Sequence, residues 1–319
     1  MREFILRRLL LLPFIMLGVT LLTFIMFRVV IPGDAAVIKC GFTCPPEQVN
    51  LIRIEMHLDD PWYEQYGRWL WGVARGDLGR SFFTTLPVTT EMERRLPITT
   101  ELLVMTTLFS LLIGVPAGVI SAIRPNTWFD WLARVVSVAW LSVPSFWLGV
   151  LVVTFGVIWF DWAPPQFGRG GYVPFFDDPW INLQQFFFPS LVMALAIAAG
   201  IMRLTRSSLL EVLRNDYIRT AWAKGLRERT VVTRHALKNA LIPVTTVVGL
   251  QIGALLGGTV VMESVFNLNG VGKYILEAIL LRDVLVVQGV VLFFAAAYVI
   301  ANLAVDVAYA WLDPRIRYT

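Results

Sequence analysis

The sequence predicts an all-α polytopic membrane protein, and three observations carry that expectation. The chain is 57% hydrophobic and only 16% charged, with mean hydropathy +0.67, against roughly 45–50% apolar and about 25% charged in soluble domains. Its charges are clustered, leaving uncharged windows long enough to cross a bilayer. Its Lys and Arg gather between particular windows, as they do in cytoplasmic loops. A soluble enzyme domain is excluded. Two cysteines cannot make a four-thiolate metal site and two histidines cannot make a His-rich one. The net charge of +4 is read as topology, so nucleic acid is not implied.

The first span is Leu9–Phe27, 19 residues without a charge, about 28 Å as a helix. Arg2, Arg7 and Arg8 precede it. Its length and the lack of an A-x-A site argue for an uncleaved anchor over a signal peptide. Uncharged runs at Leu102–Ile123, Val135–Phe160, Phe186–Met202, Leu241–Met262 and Val284–Val305 complete six expected spans. With the N-terminus inside, the cytoplasmic pieces hold 16 of the 27 Lys and Arg, while the outer loops Asp161–Gln185 and Glu263–Asp283 hold only Arg169, Lys273 and Arg282. Both termini are therefore expected in the cytoplasm. The expected parts are the N-terminal end and first helix (1–30), an extracytoplasmic lobe (31–98) and a five-helix core (99–319) with a cytoplasmic loop at 203–238.

Within the lobe, Asp60-Pro61 signals a helix start, and Trp62, Tyr66, Trp69 and Val73 recur at helical spacing before Gly76. This amphipathic aromatic helix is either a headgroup anchor or a contact for an external partner. Cys40 and Cys44 are either a small disulfide loop, permitted in an oxidising compartment, or two free thiols.

The 203–238 loop carries nine basic and three acidic residues and is too long for a turn. In NDYIRTAWAKGL, Asn215 or Asp216 is placed to cap a helix and Gly225 to stop it, which predicts about two helical turns. RERTVVTRHALKNALIP then restarts a helical pattern, with His235 expected to hydrogen-bond near the junction. Ala221 and Ala223 allow close approach of another surface, and Tyr217 and Trp222 are anchors of the kind found at interfaces. From composition alone, the favoured reading of the loop is a basic segment against membrane lipid headgroups.

The stretch resembles the EAA-type loop of ABC importer permeases, with the family glycine at Gly225 and the trailing apolar-Pro element at Ile242-Pro243. More narrowly, the chain resembles the dipeptide/oligopeptide/nickel branch, in the first of its two permease types. The supporting blocks are FILRRLLLLPFIMLGVTLLTFIMFRVVIPGDAA, GDLGRSF, RLPITTELLV, VPSFWLG, RSSLLEVLRNDYIRTAWAKGL, RHALKNALIPV, ESVFNLNGVGKYILEAILLRD and NLAVDVAYAWLDPRIRY, which together cover nearly the whole chain. Two residues depart from the pattern. Trp222 is larger than usual in the loop, and Asn269 replaces a Pro before the Gly270/Gly272 turn.

The resemblance implies the type I importer permease fold in a bacterial or archaeal cytoplasmic membrane, a second homologous permease, two ATPase subunits and an extracytoplasmic substrate-binding protein. It implies that Asp216, Tyr217, Thr220, Ala221, Trp222, Ala223, Lys224 and Gly225 couple to an ATPase subunit, and that the cargo is peptide, with nickel chelates or glycosides as alternatives.

No G-x-x-x-x-G-K-[ST] loop occurs in the sequence, so no cofactor is expected on this chain and ATP and Mg belong to the partners. An ion-coupled secondary transporter is the alternative class, but the spans contain no ionisable relay. Pro144, Ser145, Gly253 and Gly257 are candidates for the translocation path, with helix packing as the plainer role for such residues.

Overall fold

A computed structural model describes residues 2–29, 34–41, 43–169 and 171–312. The expected closing segment 313–319 lies outside the described residues. The elements in chain order are α1 (Arg2–Val29), α2 (Ala35–Cys40), α3 (Pro46–Glu55), α4 (Trp62–Ala74), α5 (Val88–Ile123), α6 (Trp128–Ser142), α7 (Ser145–Phe160), α8 (Pro165–Arg169), α9 (Pro179–Val212), α10 (Asp216–Ala223) and α11 (Glu228–Thr230). A π-helical stretch (Val231–Ala236) precedes α12 (Leu237–Ala240), α13 (Ile242–Val265), α14 (Val271–Leu281) and α15 (Val284–Leu312). The described residues form helices and one isolated bridge, Arg80 to Pro87.

Val88–Ile123, Pro179–Val212 and Val284–Leu303 are each long and apolar enough to cross a membrane, and two bent helix pairs raise the number to five. The expected first span lies on α1, whose described apolar stretch is Leu10–Met26. Large side chains such as Phe14, Leu112 and Ile158 are exposed on these helices, as lipid or partner-facing surfaces require.

The expected third span, Val135–Phe160, is bent, with α6 and α7 meeting at 94°. The cause is Pro144, which has no N–H and fixes φ at −62°, while Val143 before it is extended. A second bend of 50° separates Ile242–Gln251 from Gly253–Val265. The Gly270/Gly272 turn is also shorter than expected, since Gly270 is the N-cap of α14 and Gly272 lies buried inside that helix.

The chain forms two compact units. In the unit of Met1–Pro97 with Gly270–Ile300, α4 packs on α1 through Tyr66, whose hydroxyl lies 2.9 Å from Thr20 Oγ1 and whose ring meets Phe24 edge-on. Asp60 does not cap α4 but pairs with Arg68. Cys40 and Cys44 are joined, with Cα atoms 5.7 Å apart. Glu91 holds Arg95 at 3.0 Å, and the Arg95 guanidinium lies over the Tyr274 ring. Burial, with the Glu91 and Asp283 charges, pushes the Tyr274 hydroxyl up to about 12.

In the unit of Ile98–Asn269 with Ala301–Thr319, α9 packs against α6, α7, α12 and α13. Leu102, Phe186, Met193, Met262 and Phe266 form one cluster. Within lipid such a cluster holds by close packing more than by removal from water. Gly114 and Gly118 let α5 approach α9 closely, since a methyl group there would stand 2.7 Å from the carbonyl oxygens of Ala198 and Met202. Packing is therefore the role of these two glycines. Glu263, fully buried at the end of α13, accepts from Thr99 at 2.7 Å. Tyr172 donates to Glu101 at 3.0 Å, and burial together with that carboxylate pushes its hydroxyl up to about 12.

Candidate coupling site

The loop at 203–238 is built on its own small core. Leu209 of α9, Ala122 of α5, Ile218 and Ala221 of α10, and Val231, Val232, Ala236 and Ala240 beyond it form one buried cluster, with Leu213 and Leu226 against it. Ile218 and Ala221 are three residues apart and share one helix face. Seated by that face, α10 spans Asp216–Ala223, about the two turns expected.

The helix stops where Gly225 adopts φ +75°, a conformation that costs glycine little. The Gly225 N–H donates to the Trp222 carbonyl at 2.9 Å and the Leu226 N–H to the Ala221 carbonyl at 3.4 Å, the two bonds of a Schellman stop. Leu226 then packs back on the cluster, as the C″ residue of that motif does. Asn215 is the N-cap, but neither it nor Asp216 caps through its side chain. Asp216 instead pairs with Arg219 at 3.5 Å, exposed on both sides and so worth little.

Among the predicted residues, Asp216, Tyr217, Thr220, Trp222, Ala223, Lys224 and Gly225 are exposed, with Tyr217 and Trp222 at 43% and 45%. Ala221 is the exception, being 7% exposed. Its small side chain serves close approach, but to this chain's own core. Tyr217 is partly committed internally, because Asn239 Nδ2 donates to its hydroxyl at 2.8 Å. His235 lies in the π-helical stretch and makes no side-chain hydrogen bond among the described residues.

A polar clasp that sequence reasoning missed stands beside this core. Arg206 donates to both carboxylate oxygens of Asp130, at 2.8 and 3.0 Å. Ser121 and the Asn126 N–H also donate to Asp130, which is 0% exposed. Ser121 adjoins Ala122 and Arg206 precedes Leu209 by three residues, so the clasp ties α5, α6 and α9 at the foot on which α10 sits. The 76 positions between Asp130 and Arg206 leave no sequence signal. The Ile218/Ala221 face was available as an apolar i, i+3 pair.

The other candidates lie on the α6/α7 pair and on α13. Pro144 is exposed at the α6/α7 break and Ser145 opens α7. Gly253 starts the second half of the bent α13, and Gly257 faces open space. Among the described residues no group of three or more His, Cys, Asp or Glu could hold a metal.

Residues 114–318 match the family described as binding-protein-dependent transport system inner membrane component, and residues 1–103 match its N-terminal family. A putative peptide transport system permease protein of Brucella abortus is 41% identical over 95% of each chain. The dipeptide transport system permease protein DppB of Alkalihalophilus pseudofirmus is 40% identical over the whole of both chains, and that of Escherichia coli K12 is 38% identical over 100% of this chain and 99% of its own. The inward-facing MetNI methionine ABC transporter shares the fold, with TM-score 0.51 and 18% identity over 70% of this chain and 96% of that one. Matched along nearly its whole length, the chain belongs to the inner membrane components of binding-protein-dependent transport systems, as an ABC importer permease of the dipeptide/oligopeptide/nickel branch.

Proposed function

We propose that this chain is the non-catalytic permease subunit of an ATP-driven peptide importer, forming half of the translocation path beside a second, homologous permease. Peptide is the cargo in this reading because the curated relatives named above are peptide or dipeptide permeases. In this reading six spans, with α1 as the first, put both termini in the cytoplasm. They also place the 31–98 lobe outside, where an extracytoplasmic binding protein delivers cargo and an oxidising compartment suits the Cys40–Cys44 pair. Two ATPase subunits supply ATP and Mg chemistry. Pro144, Ser145, Gly253 and Gly257 border the path.

The observation that carries the reading is a short exposed helix seated by Ile218 and Ala221 on the ends of α5 and α9. A push on Tyr217, Trp222 or Lys224 from an ATPase subunit reaches those two helices through the shared core, without passing through a flexible linker.

The test is Gly225→Asp in the intact complex. A side chain there finds free space but strained backbone, so the change disturbs the stop of α10 and its docking surface while leaving insertion intact. The expected outcome is normal membrane level, co-purification of a second permease with ATPase subunits, and ATP hydrolysis no longer tied to peptide uptake. Recovery of this chain alone, moving solute without ATP, would overturn the proposal in favour of a secondary transporter.

A further inference from the structure

The unit containing the first four helices holds a half-open cleft of about 540 Å³, within the range of small-molecule sites. Its lining has two sides. Phe24 stands near the end of the apolar stretch Leu10–Met26, and Val284 and Leu285 open the apolar helix Val284–Leu303. The cavity is therefore lined by the ends of a shorter apolar helix stretch and of one apolar helix long enough to cross a membrane. The other side carries Arg53, Arg68, Trp69 and Asp34.

Two lining residues carry polar groups without hydrogen-bond partners. Arg53 Nε and Trp69 Nε1 are buried donors that meet no acceptor. Gln288, 3% exposed, also lines the cavity. Buried polar groups are nearly always satisfied, by protein, water or ligand. The two orphaned donors call for a ligand rich in oxygen acceptors. Arg53 is paired with Asp34 and Arg68 with Asp60, so the site is close to electrically balanced and suits a head with charges of both signs.

We propose that this cavity holds the headgroup of one zwitterionic phospholipid. Its phosphodiester oxygens accept from Arg53, Trp69 and Gln288, its ammonium lies toward Asp34, and its glycerol backbone rests on Phe24 and Leu285. A free phosphate would use none of the apolar wall. An anionic lipid would leave Asp34 facing net negative charge.

The test measures phospholipid retained by the complex after purification in mild detergent, by native mass spectrometry and lipid extraction. The wild type is expected to keep one phosphatidylethanolamine-type lipid per copy of this chain. Gln288→Leu and Trp69→Phe, which leave the Arg53 and Arg68 ion pairs intact, are each expected to weaken retention roughly tenfold, as loss of one hydrogen bond to a charged group does. Reconstitution with phosphatidylethanolamine should restore occupancy and reconstitution with phosphatidylglycerol should not. No retained lipid in the wild type, retention in both variants equal to that of the wild type, preference for phosphatidylglycerol, or displacement of the lipid by dipeptide would each overturn the proposal.

Discussion

Asp130 and Asp283 are both carboxylates buried at the start of an apolar helix, one in each unit, and their surroundings solve the same problem in opposite ways. Asp130 has a guanidinium in bidentate contact, with a hydroxyl and a backbone N–H besides. Asp283 has only neutral donors, Ser81 Oγ at 2.6 Å and the Phe82 N–H at 2.9 Å. Its other oxygen has no partner. Burial therefore pushes the Asp283 carboxyl up, and the bonds from Ser81 and Phe82 only partly offset it. A charged partner makes the first aspartate a clasp, whereas the second is a buried acid held by a loop.

The contrast breaks most visibly at Asp130. Asp130→Ala leaves Arg206 partly buried and unpaired, and is expected to cost about 3–5 kcal/mol, read by detergent-denaturation equilibrium of the purified complex. A loss near the 0–1 kcal/mol typical of a surface pair would erase the distinction. Asp130→Leu with Arg206→Met should recover most of the loss, because removing both charges leaves neither stranded.

A smaller effect is expected at Ser81. Ser81→Ala removes one neutral donor from a buried acceptor, at a cost of about 1–3 kcal/mol in the same assay. A cost equal to that of Asp130→Ala would mean that the two sites are not different in kind.

The smallest effect is a pH dependence. Because the folded-state value of Asp283 is raised, its contribution to stability is fully present below the unfolded carboxylate range near about 4 and is lost as pH rises through the folded value. The wild type should lose stability relative to Asp283→Asn as pH climbs from about 4, measured as melting temperature. A difference that stays constant with pH would sink this account.

The same contrast bears on what a sequence can disclose. The short helix α10 was legible because its stop is local, with Gly225 bounding an eight-residue segment between charged flanks. The membrane class was legible because it rests on composition. Ala221 escaped because hydropathy does not register angular position, and it turns inward on the same face as Ile218. The α6/α7 break falls at Pro144, whose backbone chemistry is local and readable. The clasp at Asp130 and Arg206 and the cavity lined by Arg53 and Gln288 depend on residues far apart in the chain, which no local pattern encodes.

The π-helical stretch Val231–Ala236 gives the path between α10 and α13 a spare link. A π-turn winds more residues into each revolution than an α-turn does, and in an α-helix each residue accounts for about 100° of rotation. Deleting one residue from the stretch, such as the exposed Thr233, would let it rewind as ordinary α-helix with both ends in register. The same deletion a few residues along, inside α13, would rotate every side chain beyond it onto a different face. The segment joining α10 to α13 is thus a joint with slack already paid out, beside a shaft that has none.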